Sequence, residues 1–126
     1  MPEQSKCITV SIEVPQPNVS ITNFQILKDS IATTTLNKND DLGRYTFAAD
    51  VTVSNTSIPS ATIEITIGGQ RAVSVQYGSL SIGSRRITIS GSLIQQQRGW
   101  STIGDMLNAL GLGSSTSTSI CIKLLW

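Results

Sequence analysis

The chain has 126 residues, nine basic and eight acidic side chains, no histidine and a net charge of +1. This length fits one domain, residues 1–126, that can bury a hydrophobic core without a metal. The weak net charge argues against recruitment of nucleic acid or an anionic membrane. The lack of histidine excludes Ser-His-Asp and Cys-His catalytic groups and histidine-based zinc sites.

Apolar residues, mostly β-branched, alternate with polar or small residues along much of the chain. Successive side chains of a strand point to opposite faces, so this period predicts strands with one buried and one wet face. The N-terminal segment lacks an apolar run, so we expect no signal peptide. No apolar run of the sequence approaches the ~20 residues that a membrane span needs, so we expect no span either. In chain order the predicted strands are Cys7–Val14, Val19–Leu27, Ile31–Leu36, Arg44–Asn55, Ala61–Ile67, Gln70–Gln76, Ser79–Ile82, Arg85–Ile94 and Ile120–Trp126.

Three local signals predict how these strands bend and connect. The alternation slips by one residue at Asn23, which is typical of a β-bulge or a change of sheet. Gly68-Gly69 joins two strands and favours a mirror-image hairpin turn. The segment Asn37–Gly43 is rich in Asn and Asp, which favour turns because their side chains bond to nearby backbone groups.

One helix is predicted, over residues 102–110 near the C-terminal end. Thr102 and Asp105 have the spacing of a capping box. Ile103, Met106, Leu107 and Leu110 then fall on one helical face. This face either packs on its own domain or docks a partner, and with Trp100 it forms the candidate interface.

Short strands separated by turns, with a single helix, predict an all-β fold, an antiparallel β-sandwich. Cys7 and Cys121 lie near opposite ends of the chain. They are either two small buried side chains or a disulfide that joins the first and last strands. A disulfide implies an oxidising compartment or a hyperthermophile cytoplasm.

The middle of the chain resembles an immunoglobulin-like or fibronectin-III-like module of the type found in adhesion-related domains. The resemblance covers residues 19–94, and the segments that carry it are 45–55, 61–69, 80–83 and 85–90. It implies a two-sheet sandwich, although the inter-sheet cysteine pair and core Trp of antibody domains are lacking. No functional residue carries over, since these modules share a shape and not a site. In its short, Ile-, Val- and Thr-rich composition the chain is also similar to small proteins of viruses of hyperthermophilic archaea.

Candidate chemical sites are few. Adjacent Asp40 and Asp41 point apart on an extended chain, and the turn around them lacks the Glu of a calcium loop. Basic side chains are not interleaved with aromatic ones, as a stacking site for nucleic acid requires. We therefore predict no cofactor, no metal and no catalytic residue.

The sequence predicts a non-enzymatic structural or interaction protein, such as a virion, surface or assembly component. It would act through sheet faces, sheet edges or oligomer contacts, and a homodimer is one such assembly. Its location would be a virion or host cytoplasm for a viral protein and the cell exterior for a surface module. The alternative is a carbohydrate- or ligand-binding module that uses an exposed Tyr77 or Trp100.

Overall fold

A computed structural model describes residues 2–8, 16–113 and 119–126. Its strands are β1 Glu3–Cys7, β2 Val19–Lys28, β3 Ile31–Thr33, β4 Tyr45–Val53, β5 Ile58–Ile67, β6 Gln70–Leu80, β7 Gly83–Ser90 and β8 Ile120–Leu125. Its helices are α1 Gly91–Arg98 and α2 Ile103–Ala109, and a 3₁₀ turn, Leu42–Arg44, precedes β4. Neither helix is long and apolar enough to cross a membrane.

The strands form two antiparallel sheets of four, as expected for a β-sandwich. Sheet A has the order β1-β8-β5-β6, and sheet B has the order β3-β2-β4-β7. The alternating apolar positions of β4, β5 and β7 face a shared core, so this part of the sequence prediction is confirmed. Among the core residues are Phe47, Ala49, Val51, Val53, Ile63, Ile65, Ile67, Ile87 and Ile89.

Two of the predicted irregularities are confirmed. The pairing of β2 with β4 shifts between Thr22 and Gln25, and Asn23 takes a left-handed φ of 52° in the bulge. Gly68 and Gly69 both have positive φ in the β5–β6 turn. Such a turn matches the right-handed twist of the two strands, and glycine adopts it without steric cost.

Several strand predictions had wrong boundaries, and β5 begins at Ile58, three residues before the predicted Ala61. β1 begins at Glu3 and ends at Cys7, and residues 9–15 of the predicted first strand lie outside the described residues. The predicted strand Ile31–Leu36 ends at Thr33. The predicted strands Gln70–Gln76 and Ser79–Ile82 were wrong as two elements. β6 continues through Gly78 to Leu80, because that glycine (φ 96°) lies at a register shift and does not end the strand. β7 ends at Ser90, four residues before the predicted end.

The prediction of a single helix was wrong, although α2 lies within the predicted range. In α1, the Ser90 side chain accepts from Leu93 N–H at the N-cap, and Gly99 (φ 75°) ends the helix in the left-handed region. A Cβ at Gly91 would overlap the backbone carbonyl oxygen of Leu42, so glycine lets α1 lie against the 3₁₀ turn. The predicted capping box of α2, Thr102 with Asp105, is present in both directions.

Candidate functional site

The outer side of sheet B carries a regular array of polar side chains. Cross-strand pairing of β2, β4 and β7 aligns it in three ranks, which are Ser20–Thr52–Ser84, Thr22–Asp50–Arg86 and Gln25–Ala48–Thr88. We call these nine residues the polar face. Neighbouring strands lie about 4.8 Å apart, so the side chains of a rank are in reach of one another. Ala48 is fully covered, and the other eight are polar and at least partly exposed.

A charged pair lies in the middle rank of the polar face. Arg86 Nη1 is 3.4 Å from Asp50 Oδ1, and Arg86 Nη2 donates to Gln25 Oε1 at 3.0 Å. Asn23 Nδ2 donates to Asp50 Oδ2 at 3.0 Å. The bulge at Asn23 thus places an amide where it holds the second carboxylate oxygen. Asp50 and Arg86 are therefore held in orientation by contacts within the domain.

The composition of the polar face favours contact with another macromolecule. Five of its nine residues are Ser or Thr, and none is Lys or Glu. Short hydroxyl side chains have little rotamer freedom to lose on binding, whereas Lys and Glu lose more. A net charge of +1 adds little long-range repulsion. These side chains therefore lose little conformational entropy when the face is ordered in a complex.

A second polar cluster surrounds Asp40, and its contacts are internal. Asp40 Oδ2 lies 2.6 Å from Lys28 Nζ and accepts from Tyr45 OH at 2.7 Å, and Arg44 Nη1 lies 3.1 Å from Oδ1. The bond from Lys28, followed by the bond from Tyr45, lowers the pKa of Asp40 below its ordinary value. Burial raises the pKa of the Tyr45 phenol. These contacts fix the 37–44 loop on β2 and β4.

The neighbouring turn uses its oxygens in the same local way. Asp41 Oδ1 accepts from Gly43 N–H and from Gln95 Nε2, both at 2.7 Å. Asn37 Oδ1 accepts from Asn39 N–H at 3.0 Å. Within the described ranges, no three Cys, Asp or Glu side chains are grouped as metal ligands.

The candidate interface of α2 lies largely inside the domain. Ile103, Met106 and Leu107 are at most 1% exposed in the shared core, and Leu110 is half-buried against it. A partner cannot reach the three buried side chains in this fold. Of the two alternatives left open by the sequence, the burial of these three residues matches packing of α2 on its own domain.

Trp100 is half-buried, and Arg98 stacks over its ring with the guanidinium carbon 4.4 Å from the ring centre. The same guanidinium donates to the carbonyl oxygens of Arg71 and Ala72, at 3.2 and 2.9 Å. Arg98 thereby ties α1 to the beginning of edge strand β6. Trp126 is half-buried against the hydrophobic core.

Cys7 and Cys121 are brought together at the end of the β1–β8 ladder. They are directly paired in register, with Cα atoms 4.0 Å apart, and their sulfur atoms are joined as a disulfide. Of the two alternatives left open by the sequence, this arrangement matches the link between first and last strands. The pair is half-buried, with Ser119 Oγ 3.4 Å from Cys121 Sγ.

In the part of the chain that the structure describes, three large apolar side chains are exposed: Ile31 (72%), Ile82 (57%) and Tyr77 (42%). An open groove of about 570 Å³ lies near the first of them, lined by Ile8, Phe24, Gln25, Ile26, Ala32, Thr33 and Thr34. Its rim at Ile8 adjoins residues 9–15, which lie outside the described residues, so we assign it no occupant.

Sequence reasoning did not single out Asn23, Asp50 or Arg86 as one group. The alternating polar positions of β4 and β7 were visible, but the strand register that aligns them was not. No protein-family model matches the chain, and comparison with curated proteins and with solved structures finds no match. The functional argument therefore rests on the surface of the molecule itself.

Proposed function

We propose that this protein is a non-enzymatic structural or interaction protein that binds a protein partner through the polar face. The observation that carries the proposal is the registered array around Asp50 and Arg86. It contains no Lys or Glu, and Asn23 and Gln25 bond its charged pair. Binding to it costs little conformational entropy, and the fixed charge pair gives the contact an orientation.

Sheet faces suit this role better than sheet edges. Edge strand β7 turns Arg85 towards the inner side, on the same face as Ile87, and Ser81 holds its guanidinium through Nη2 at 2.6 and 3.0 Å. Edge strand β3 has three residues, and Arg98 caps the beginning of β6. Inward charges and short strands discourage the addition of a further strand.

The arginine side chains support a protein partner and not a nucleic acid. The arginine side chains of β6, β7 and α1 are engaged within the domain. Arg71 Nη1 is 3.6 Å from Glu64, Arg86 pairs with Asp50, Arg85 binds Ser81, and Arg98 binds backbone carbonyls. A nucleic acid would have to compete with these partners for each of the four arginines.

Site-specific photocross-linking in the native cell or particle tests the proposal. A benzophenone side chain is placed at Thr88 on the polar face or, as a matched control, at Thr62 on the outer side of sheet A. We expect a defined cross-linked protein from Thr88, and loss of at least nine-tenths of it when Arg86→Glu is added. Cross-links from Thr62 alone, or turnover of a substrate by the purified protein, would overturn the proposal.

The alternative function, a carbohydrate-binding module, is favoured by the exposure of Tyr77 on edge strand β6. Exposed aromatic faces stack on sugar rings, whereas Trp100 already has Arg98 over one face. A glycan array with the wild-type protein and with Tyr77→Ala separates the two functions. Glycan binding that disappears in the variant supports the module, and an array without hits removes it.

The immunoglobulin-like type and a viral origin remain proposals that extend the two-sheet architecture. Two antiparallel four-stranded sheets are compatible with such a module. In constant-type immunoglobulin order the first strand pairs with the second, whereas here β1 pairs with β8. We therefore propose the resemblance for the sandwich architecture and not for strand order. Isolation of the native particle or cell fraction tests the proposed location.

A further inference from the structure

Strand β1 is attached to the domain in an unusual way. It lies at the edge of sheet A and pairs with β8. Its side chains on the inner side, Gln4 and Lys6, are opposite the buried Leu124 and Ile122, but both are polar. None of the five residues Glu3–Cys7 contributes to the hydrophobic core. The main source of strand stability, apolar burial, is therefore missing from β1.

The described contacts that replace it are backbone ladder bonds, a few polar contacts and one covalent bond. Gln4 Nε2 donates to Val19 O at 3.2 Å, and Glu3 lies 3.8 Å from Lys123. Exposed ion pairs and single backbone hydrogen bonds each add little net stability. The Cys7–Cys121 disulfide closes the end of the ladder nearest to Ile8, which packs partly on the core.

Strand β8 has the opposite character. Its inner residues Ile120, Ile122 and Leu124 are buried, and β5 pairs with it along its other edge. β8 therefore stays in the sandwich if β1 leaves. It would then present an unpaired backbone edge, and such an edge accepts an added strand.

We propose that the Cys7–Cys121 disulfide is a redox switch for strand exchange. A dithiol reductant passes two electrons and two protons to the sulfur atoms, the S–S bond breaks, two thiols form and the reductant closes to its own disulfide. β1 then leaves β8, and the vacated edge binds β1 of a second copy. The second copy is the occupant that the contacts select, because its β1 restores the same register, the same Glu3–Lys123 pair and the same Cys7–Cys121 alignment. This exchange goes beyond the proposed function, since it uses sheet A and leaves the polar face free.

Hydrogen exchange read by mass spectrometry tests the release of β1. Oxidised wild type is compared with wild type in dithiothreitol and with the double variant Cys7→Ser/Cys121→Ser, which cannot form the bond. We expect amides of residues 3–7 to exchange at least tenfold faster in both reduced forms, and by a larger factor than those of β4, because only β1 loses its attachment as well as the stability of the whole domain. If residues 3–7 stay as protected as in the oxidised protein, the switch does not exist.

A complementation experiment tests the second copy. Single variants Cys7→Ser and Cys121→Ser are mixed at millimolar concentration and then oxidised. We expect a covalent heterodimer in which peptide mapping finds Cys7 of one chain bonded to Cys121 of the other. A product dominated by Cys7–Cys7 and Cys121–Cys121 links, or no covalent dimer, would refute exchange. Loss of the Thr88 cross-link in the earlier experiment would leave this result unchanged, so the two proposals fail separately.

Discussion

Removal of the disulfide should cost this domain a large part of its stability. The bond joins residues 114 positions apart, so it closes nearly the whole chain into one loop. In the chain-entropy model a loop of this length destabilises the unfolded state by about 5 kcal/mol. Domains of this size have unfolding free energies of about 5–15 kcal/mol. We therefore expect Cys7→Ala/Cys121→Ala to lose between a third and all of its stability.

The measurement is urea unfolding followed by circular dichroism, with the oxidised and reduced wild type run beside the double variant. The unfolding entropy is about 2.1 cal/mol/K per residue, and the chain has 126 residues. Dividing the lost free energy of unfolding by this entropy gives a fall in Tm of roughly 15–20 °C. Ser74→Ala and Thr62→Ala, half-buried on the outer side of the same sheet, serve as matched controls. A loss below about 1 kcal/mol at unchanged m-value would refute the loop-closure reasoning.

Three further predictions concern contacts outside the disulfide. Gly91→Ala should lower the free energy of unfolding by about 3 kcal/mol or more, because its Cβ would overlap the carbonyl oxygen of Leu42. The control Ser92→Ala, at an exposed position, should leave it unchanged. Equal urea midpoints for the two variants would count against this packing. Asn18→Ala should lower the free energy of unfolding by about 1–3 kcal/mol. The lost side chain bonds Thr56 O, Asn55 N and Thr56 N at 2.7, 2.8 and 2.9 Å. An unchanged Tm would contradict this prediction. The pKa of Asp40 is lowered on folding. The stabilisation that its carboxylate gives the folded state is therefore fully present above the unfolded pKa of about 3.9, and it is lost as pH falls through the folded pKa. Between neutral and acid pH, Asp40→Asn should therefore lose less free energy of unfolding than wild type. A pH dependence as steep as that of wild type would disprove this.

Local patterns in the sequence predicted the elements whose burial is set within a few residues. The alternation in β4, β5 and β7 predicted strands because one face of each had to be buried. The slip at Asn23 predicted the bulge, and Thr102 with Asp105 predicted the start of α2. Each of these signals lies within about one turn or one strand, so no distant contact was needed to interpret it.

The wrong predictions have distant causes. α1 lacks a clear apolar stripe, and glycine at its first position disfavours a helix in isolation. The helix forms because Ser90 caps it, Gly91 fits beneath Leu42, and Gln95 binds Asp41 and Ser101 O. β1 consists of polar residues that precede Cys7. It becomes a strand only because β8 offers a backbone edge beside it. Tertiary contacts thus override local preference at both places.

The amino-acid sequence alone determined that this protein is built from half-buried strands with weakly charged, hydroxyl-rich surfaces, because the period of apolar residues fixes which side of each strand avoids water. Only the tertiary structure decided the register between strands. That register aligns Asn23, Asp50 and Arg86 on one face and places Cys7 opposite Cys121, although these residues are far apart in the chain. Hydrogen bonds between strands are alike at every register, so the choice depends on how the whole core packs.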